Sequence, residues 1–247
     1  GSKLGWIKEI NADLAFTYHH DYEMFEKLTG VPFFQLPFAA DPEIFKDYGI
    51  NQEYDVGFTG GLGHIETNGW EKQCKFGEFA PFPAEGQGWS HNLRAQIKEQ
   101  YESWDDINFY FSNHNHDNMI DYAKRINTAK MWLSTTGPVD IVGTRYFEIM
   151  LSNTTLLLCN RSNKMWSFDE DCNRKDREVN VYDGLFEEDV HYVAFDTPEE
   201  FRDKVLYYKN NEAARLKIVR NAYEHVLENH TWEKRAEKFV ACVKENL

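Results

Sequence analysis

Apolar positions along the chain recur at two spacings, alternate residues in some stretches and every third or fourth in others, and the switches between them outline the elements. An amphipathic opening leads into a strand-like run, Ala15–Tyr18. Asp21–Leu28 has helical spacing, and Thr29-Gly30 closes it with a C-terminal glycine. Val31–Phe38 is extended and contains Pro32 and Pro37, while Asp41-Pro42-Glu43 predicts a helical turn with Pro at its first position. Asp55–Thr59 reads as a buried strand running into Gly60-Gly61-Leu62-Gly63. Residues 64–90, rich in Gly, Pro and aromatics, predict a long irregular loop.

From there helices and strands take turns. Ser90–Ser103 is helical with Leu93, Ile97 and Tyr101 on one face, and Ile107–Phe111 is a strand. The next helix is predicted over His116–Lys130, with Met119, Ile120, Ala123 and Ile126 facing inward. Strands at Met131–Ser134 and Thr154–Cys159 flank a helix over Gly143–Leu151. The polar stretch 160–184 predicts a loop, and Val190–Phe195 a further strand. Thr197-Pro198-Glu199-Glu200 combines a cap, a first-turn proline and first-turn acids, and starts a helical tail over roughly 198–209, 211–229 and 231–246. Strands alternating with helices after a glycine-rich turn predict an α/β fold with a Rossmann-like, doubly wound parallel sheet. No internal repeat is visible. The division expected is a short N-terminal region, 3–52, and one Rossmann-like domain with a helical C-terminal tail, 53–247.

Composition narrows the functional classes. The 247 residues carry 27 basic and 41 acidic side chains, a net charge of −14, which repels phosphate backbones and argues against sequence-independent nucleic-acid binding. A local basic pocket for a small anion is still compatible with that charge. No apolar window is long enough for a membrane span, no signal peptide is present, and Gly1-Ser2 reads as a cleavage scar. Cys74, Cys159, Cys172 and Cys242 form no CxxC pair, so they read as reduced thiols of a cytoplasmic protein.

Three constellations could carry chemistry. Gly60-Gly61-Leu62-Gly63 follows a strand, where glycine lets backbone N–H groups approach a phosphate; the plain alternative is a turn that only needs glycine. It lacks the GxGxxG-to-helix pattern of a nicotinamide dinucleotide site. Ser134-Thr135-Thr136-Gly137-Pro138 leads to Asp140, Arg145, Tyr146 and Glu148 at the start of a helix. A cation and two carboxylates there suit a ligand with a diphosphate and vicinal hydroxyls, although Arg145 and Glu148 could equally be a surface i,i+3 ion pair. The histidines at His19-His20-Asp21, His64, and His114 and His116 could bind metal, act as general bases, or serve as polar loop tips. No second pair at zinc spacing accompanies them, so no metal site is expected.

Several of these segments together resemble the donor-binding half of GT-B glycosyltransferases, in the group 1/family 4-like branch that includes CgeB-like proteins. Arg145-Tyr-Phe-Glu148 with the following Leu156-Leu157 resembles that group's helix-to-strand passage. Tyr192–Phe201 resembles its strand followed by a D-x-P-E-E-L helix, and His225–Ala236 its R-V-L-x-x-H-T-(aromatic)-x-x-R-A ending. Leu36–Phe45 is similar to the interdomain segment, and Asp55–Gly61 to the first donor-domain strand and phosphate loop.

By that resemblance Glu148 matches the second acid of an E-x7-E motif, expected on the nucleotide ribose. Asp140 matches the first, with Asp in place of Glu, facing the donor sugar. Arg145 would face the diphosphate under Gly60 and Gly61, with Thr136, Gly137 and Tyr146 lining the nucleotide. The resemblance implies a glycosyltransferase that moves a sugar from a UDP- or GDP-linked donor to a glycan or other hydroxyl acceptor, with no cofactor and no metal. A retaining outcome fits the E-x7-E pattern; an inverting one needs a base, for which His20, Asp21 and His64 are candidates. A complete acceptor domain is missing, so other domains of a longer polypeptide are expected partners. A non-catalytic nucleotide-sugar or carbohydrate-binding module is the alternative, and a sugar-nucleotide epimerase ranks below both because no Tyr-x-x-x-Lys pair is convincing.

Overall fold

The computed structural model describes residues 3–20, 22–60, 89–112, 118–136, 141–162, 164–168 and 174–247. Its first element, α1 (Lys3–Glu9), precedes a small β-α-β unit built from β1 (Ala15–Thr17), α2 (Tyr22–Thr29) and β2 (Phe33–Gln35). The two strands pair in parallel with Ala15 opposite Phe33. Gly30 ends α2 at φ +73°, a conformation that costs glycine nothing, and its N–H returns to the Glu26 carbonyl. Asp41-Pro42-Glu43 opens the expected single helical turn: the Phe45 N–H returns to the Asp41 carbonyl at 2.9 Å, and the Asp41 side chain accepts from the Glu43 N–H.

The main sheet begins with β3 (Tyr54–Thr59), followed by α3 (Trp89–Tyr101), β4 (Phe109–Ser112), α4 (Met119–Ile126), β5 (Ala129–Leu133), α5 (Thr144–Leu151) and β6 (Leu156–Asn160). A hairpin, β7 (Lys164–Phe168) and β8 (Arg174–Glu178), then precedes β9 (Val193–Phe195) and three helices, α6 (Pro198–Asn210), α7 (Glu212–Asn229) and α8 (Trp232–Asn246). Five strands align in the order β4-β3-β5-β6-β9, all parallel. The expected doubly wound sheet is therefore present. The chain moves outward from β3 to β4, then returns past β3 to β5. The order reverses between β3 and β5, and in such sheets ligands bind beyond the carboxyl ends of the strands on either side of that reversal.

Both faces are covered, as a parallel sheet requires. Val56, Phe58, Met131 and Leu158 pack under Leu93 and Ile97 of α3 and Phe201 and Val205 of α6. Trp132, Leu157 and Cys159 pack on the other face under α4 and α5, with Ala123, Ile126, Phe147 and Ile149. Gly57 is required by this second layer: a Cβ there would lie 2.2 Å from the Trp132 ring. Asp55 anchors the opposite end of β3: against the opposing effect of burial, the Asn108 N–H, Lys130 at 2.8 Å and Lys209 at 2.7 Å donate to its carboxylate and hold it below the usual range.

Two expectations are corrected. The helix predicted over His116–Lys130 is the shorter α4, because Asn118 caps it by accepting from the Asp121 N–H, while Ala129 is drawn into the sheet opposite Tyr54. That start leaves Met119 and Ile120 exposed in the first turn and turns Tyr122, Ala123 and Ile126 inward. The stretch 160–184, expected to be a loop, contains the β7–β8 hairpin, whose register sets Lys164 opposite Glu178 and Trp166 opposite Asp176. Its charge disguised the pairing, since every residue of β8, Arg174–Glu178, is charged and gives no apolar alternation.

The N-terminal region is laced to the sheet domain where it meets the junction of α7 and α8. Ala40 bridges Thr231. The buried Arg235 donates to the carbonyls of Pro37, Phe38 and Asn229, and its guanidinium also donates to His230 Nδ1. Beyond the crossing, Phe239 of α8 packs on Phe16 at 4.7 Å between ring centroids.

Candidate functional site

The carboxyl ends of β3 and β5 carry the segments that the sequence singled out. Gly60 follows β3 at φ +133°. A Cβ there would meet Arg145 Nη1 at 3.2 Å, so glycine is needed both for the backbone angle and for the approach of the guanidinium. The Gly60 N–H itself is spent on the Ser112 carbonyl at 2.9 Å and is not offered to a ligand. Gly61 and His64, like Asp21, Gly137 and Asp140, lie outside the described residues.

Arg145 and Glu148 stand three apart in α5, whose N-cap is Gly143. They do not behave as a surface ion pair. Arg145 extends toward Gly60 and lies 5.9 Å from the centre of the Tyr122 ring. Glu148 is 7% exposed, and burial pushes its carboxyl up to about 7 against the opposing pull of Arg145 and a hydrogen bond from Thr144. A carboxyl so placed is expensive to ionise without a partner, and a pair of ligand hydroxyls would supply one.

A second cation enters from a helix that the sequence reading passed over. Arg94 of α3 is 7% exposed, sits 5.4 Å from the centre of the Phe58 ring, and donates from Nη2 to the Thr135 carbonyl at 2.9 Å. Burial and then the neighbouring Arg145 lower its pKa to about 10, so it is charged at neutral pH. Its signal was present: position 94 lies three before Ile97, on the inward side of α3. Arg94 and Arg145 are thus close enough to repel, and Arg145 in turn attracts the Glu148 carboxyl, in a protein of net charge −14.

Thr136 and Tyr146, both expected to line the nucleotide, are corrected. The Thr136 N–H donates to Asn160 Oδ1 at 2.8 Å, and the Asn160 amide returns to Thr136 Oγ1 at 3.1 Å, so this pair fixes the loop after β5 to the end of β6. Tyr146 is 1% exposed and turned into the core, its hydroxyl 3.1 Å from that of Tyr182. It follows Arg145 by one position, and a helix turns about 100° per residue, so the two cannot share a face. His20 belongs to the N-terminal unit, where Gln35 donates to its Nδ1 at 3.2 Å, leaving the ring proton on Nε2.

Other polar groups have structural partners. Glu188 joins Asp196 and Glu200 around Arg161. Among the described residues no group of three or more His, Cys, Asp or Glu is placed to hold a metal ion. In the same residues Cys159 and Cys242 are free thiols, and no helix is long and apolar enough to cross a membrane.

The sequence profile of the glycosyl transferase-like family matches residues 77–241, more than half of the chain. The chain belongs to that family. Solved structures show the same fold at low identity. Sucrose-phosphate synthase from Thermosynechococcus elongatus superposes with a TM-score of 0.60 at 11% identity, covering 98% of this chain and 61% of the synthase. Anabaena Alr3699/HepE, solved in complex with UDP-glucose, gives 0.59 at 10% identity and covers 98% of this chain and 67% of HepE. TarM gives 0.59 at 13%, covering 96% of this chain and 45% of TarM. The fold is therefore the GT-B type, and the chain spans about three fifths of the synthase's length. No curated protein matches the chain in sequence.

Proposed function

We propose that this chain is the donor-binding part of a glycosyltransferase that moves a sugar from a nucleotide-diphosphate donor, UDP- or GDP-linked, to a glycan or other hydroxyl acceptor. One observation carries the reading: Arg145 reaches the glycine at the end of β3 while the buried carboxyl of Glu148 stands one turn further along the same helix. A cation and a carboxyl at the reversal of strand order suit a diphosphate and a ribose. HepE, of the same fold, binds UDP-glucose, which agrees with this reading.

In this scheme the bond from the sugar's anomeric carbon to the diphosphate breaks as the bond to the acceptor oxygen forms, and the acceptor hydroxyl gives up its proton. The guanidinium groups stabilise the negative charge gathering on the departing diphosphate, the task a divalent cation performs in other sites. Glu148 fixes the ribose, so that the anomeric carbon is presented in one place. Asp140 is the candidate to face the donor sugar, and His20, Asp21 and His64 are the candidate bases on the acceptor side. Acceptor recognition falls to the N-terminal unit together with further domains.

Thermal denaturation in EDTA with UDP, GDP, dTDP and ADP tests the donor site directly. A ligand at one hundred times its dissociation constant adds about 2.7 kcal/mol. No shift with any of the four, or a shift only when Mg²⁺ or Mn²⁺ is restored, overturns the metal-free donor pocket. Donor hydrolysis then separates an enzyme from a module that only binds.

A further inference from the structure

Between β6 and β9 the chain makes an excursion that the main sheet does not use. The two strands are parallel neighbours, so a crossover must join them, and Val181, Tyr182, Leu185 and Phe186, all buried in the core, supply its packing. The β7–β8 hairpin stands outside that path. The Val181 N–H donates to the Ser162 carbonyl at 3.2 Å, so the chain leaves and returns at one point. Among the described residues β7 and β8 pair only with each other, and a two-stranded ribbon has little stability of its own. Long excursions from a rigid scaffold are where binding residues concentrate.

The root of this arm is fixed on the ligand edge of the sheet. Asn160, the last residue of β6, holds Thr136 of the loop after β5 through its side chain, and its carbonyl accepts from the Tyr182 hydroxyl at 2.7 Å. Arg161 follows, held by Glu188, Asp196 and Glu200. The hairpin therefore starts at the carboxyl end of the strands, on the β6 side of β5 and away from the crevice between β3 and β5.

Register sorts the arm by chemistry, because directly opposite residues and alternate residues share a face. Trp166 is opposite Asp176 and Lys164 opposite Glu178, which puts Trp166, Phe168, Asp176 and Glu178 on one face and Lys175 and Arg177 on the other. Positions 166 and 168 are about 7 Å apart along the strand. Two aromatic residues in line are the residue types that offer flat apolar surface to the C–H faces of consecutive sugar rings, and carboxylates across from them suit ring hydroxyls.

We propose that the β7–β8 hairpin is a glycan-binding arm, with Trp166, Phe168, Asp176 and Glu178 as its binding face. Its place as an acceptor-binding element rests on the donor-site reading above, and it narrows the acceptor to a chain of sugars. Glycan binding itself is measured without nucleotide, so the two readings fail separately.

The test is binding of cellopentaose, xylopentaose, maltopentaose and chitopentaose, each at about 10 mM, an excess over millimolar dissociation constants. Amide hydrogen exchange and titration calorimetry are run on the wild-type chain and on Trp166→Ala combined with Phe168→Ala. At least one pentasaccharide should slow exchange across β7 and β8 of the wild type by about fivefold or more. The double variant should bind that pentasaccharide about tenfold more weakly and bind UDP as the wild type does. Asp176→Asn combined with Glu178→Gln should weaken the same pentasaccharide. If no pentasaccharide slows exchange in these two strands, or if the aromatic double variant binds as tightly as the wild type, the arm is not a glycan site and the proposal falls, while the donor site stands. If a pentasaccharide protects the arm but the wild type binds none of UDP, GDP, dTDP and ADP, the donor reading and the acceptor role fall and the glycan site stands. Should the double variant not fold, wild-type exchange decides: protection that appears elsewhere and spares β7 and β8 refutes the proposal.

Discussion

Glu148→Gln is the sharpest perturbation of the site, because it removes a charge and keeps a shape. A carboxyl that titrates near 7 in the fold and near 4.5 in the unfolded chain binds its proton more tightly when folded. Stability from this group is therefore complete below about pH 4.5 and is lost as pH rises through about 7, a total of roughly 3 kcal/mol. Burial sets the sign, since both Arg145 and Thr144 act in the opposite direction. Gln cannot ionise, so the variant should hold its stability across that window. Urea denaturation at pH 5 and pH 8.5 on both proteins isolates the effect, because the other titrating groups cancel in the double difference. The wild type should lose roughly 3 kcal/mol more than the variant. At pH 8 the variant should bind UDP tenfold to a hundredfold more weakly, about 1.4–2.8 kcal/mol, and 2′,3′-dideoxy-UDP should show no such difference. Parallel pH profiles would show that Glu148 titrates like a solvated carboxyl. An equal loss with the dideoxy nucleotide would show that it does not hold the ribose, and either result ends the assignment.

Three further outcomes follow from packing and ionisation elsewhere. Gly57→Ala drives a methyl to within 2.2 Å of the Trp132 ring and should cost about 3 kcal/mol, read as a lower urea midpoint with a changed near-ultraviolet tryptophan signal. Burial, followed by the charge of Arg235, lowers His230 to about 3, so the unfolded chain binds the extra proton and stability should fall as pH drops from 6.5 toward 3; His230→Gln should flatten that acid limb in the same titration. Arg235→Met strips donors from the Pro37, Phe38 and Asn229 carbonyls and should cost about 3 kcal/mol by the same denaturation, with no matching loss of UDP affinity if the donor site is independent of the crossing.

The sheet was legible because its strands are short, nearly continuous apolar runs: Leu156–Cys159 and Asp55–Thr59 read as buried from either face. Caps were legible too, since Thr197 and Thr231 each accept from the N–H three residues on, as their sequence contexts indicate. The hairpin after β6 was missed because its cross-strand partners are largely charged and offer no alternating apolar face. Met119 and Ile120 misled because apolar spacing fixes a face only once the helix start is known, and Asn118 moved that start. In the site, Arg145 and Glu148 were visible as a spacing, but their separation into distinct roles depended on burial, which spacing does not report. Tyr146 shared their sequence neighbourhood and not their face. Arg94 stood among core positions of α3 and was passed over because arginine is usually a surface residue; its burial beside a second arginine, Arg145, set it apart.

The packing of Phe239 on Phe16 has a consequence for how the protein is made. More than two hundred residues separate the two rings, and at about 5–20 residues per second the ribosome takes roughly ten to forty seconds to travel between them. Throughout that interval the β1–β2 ribbon has been synthesised without the helix that covers it, and a two-stranded parallel pair has little independent stability. The β1–β2 pair is thus made well before the helix that completes its packing. During synthesis its aromatic face is the natural place for a chaperone to hold the chain, and substitutions in α8 that slow docking should appear first as poor yield rather than as poor catalysis.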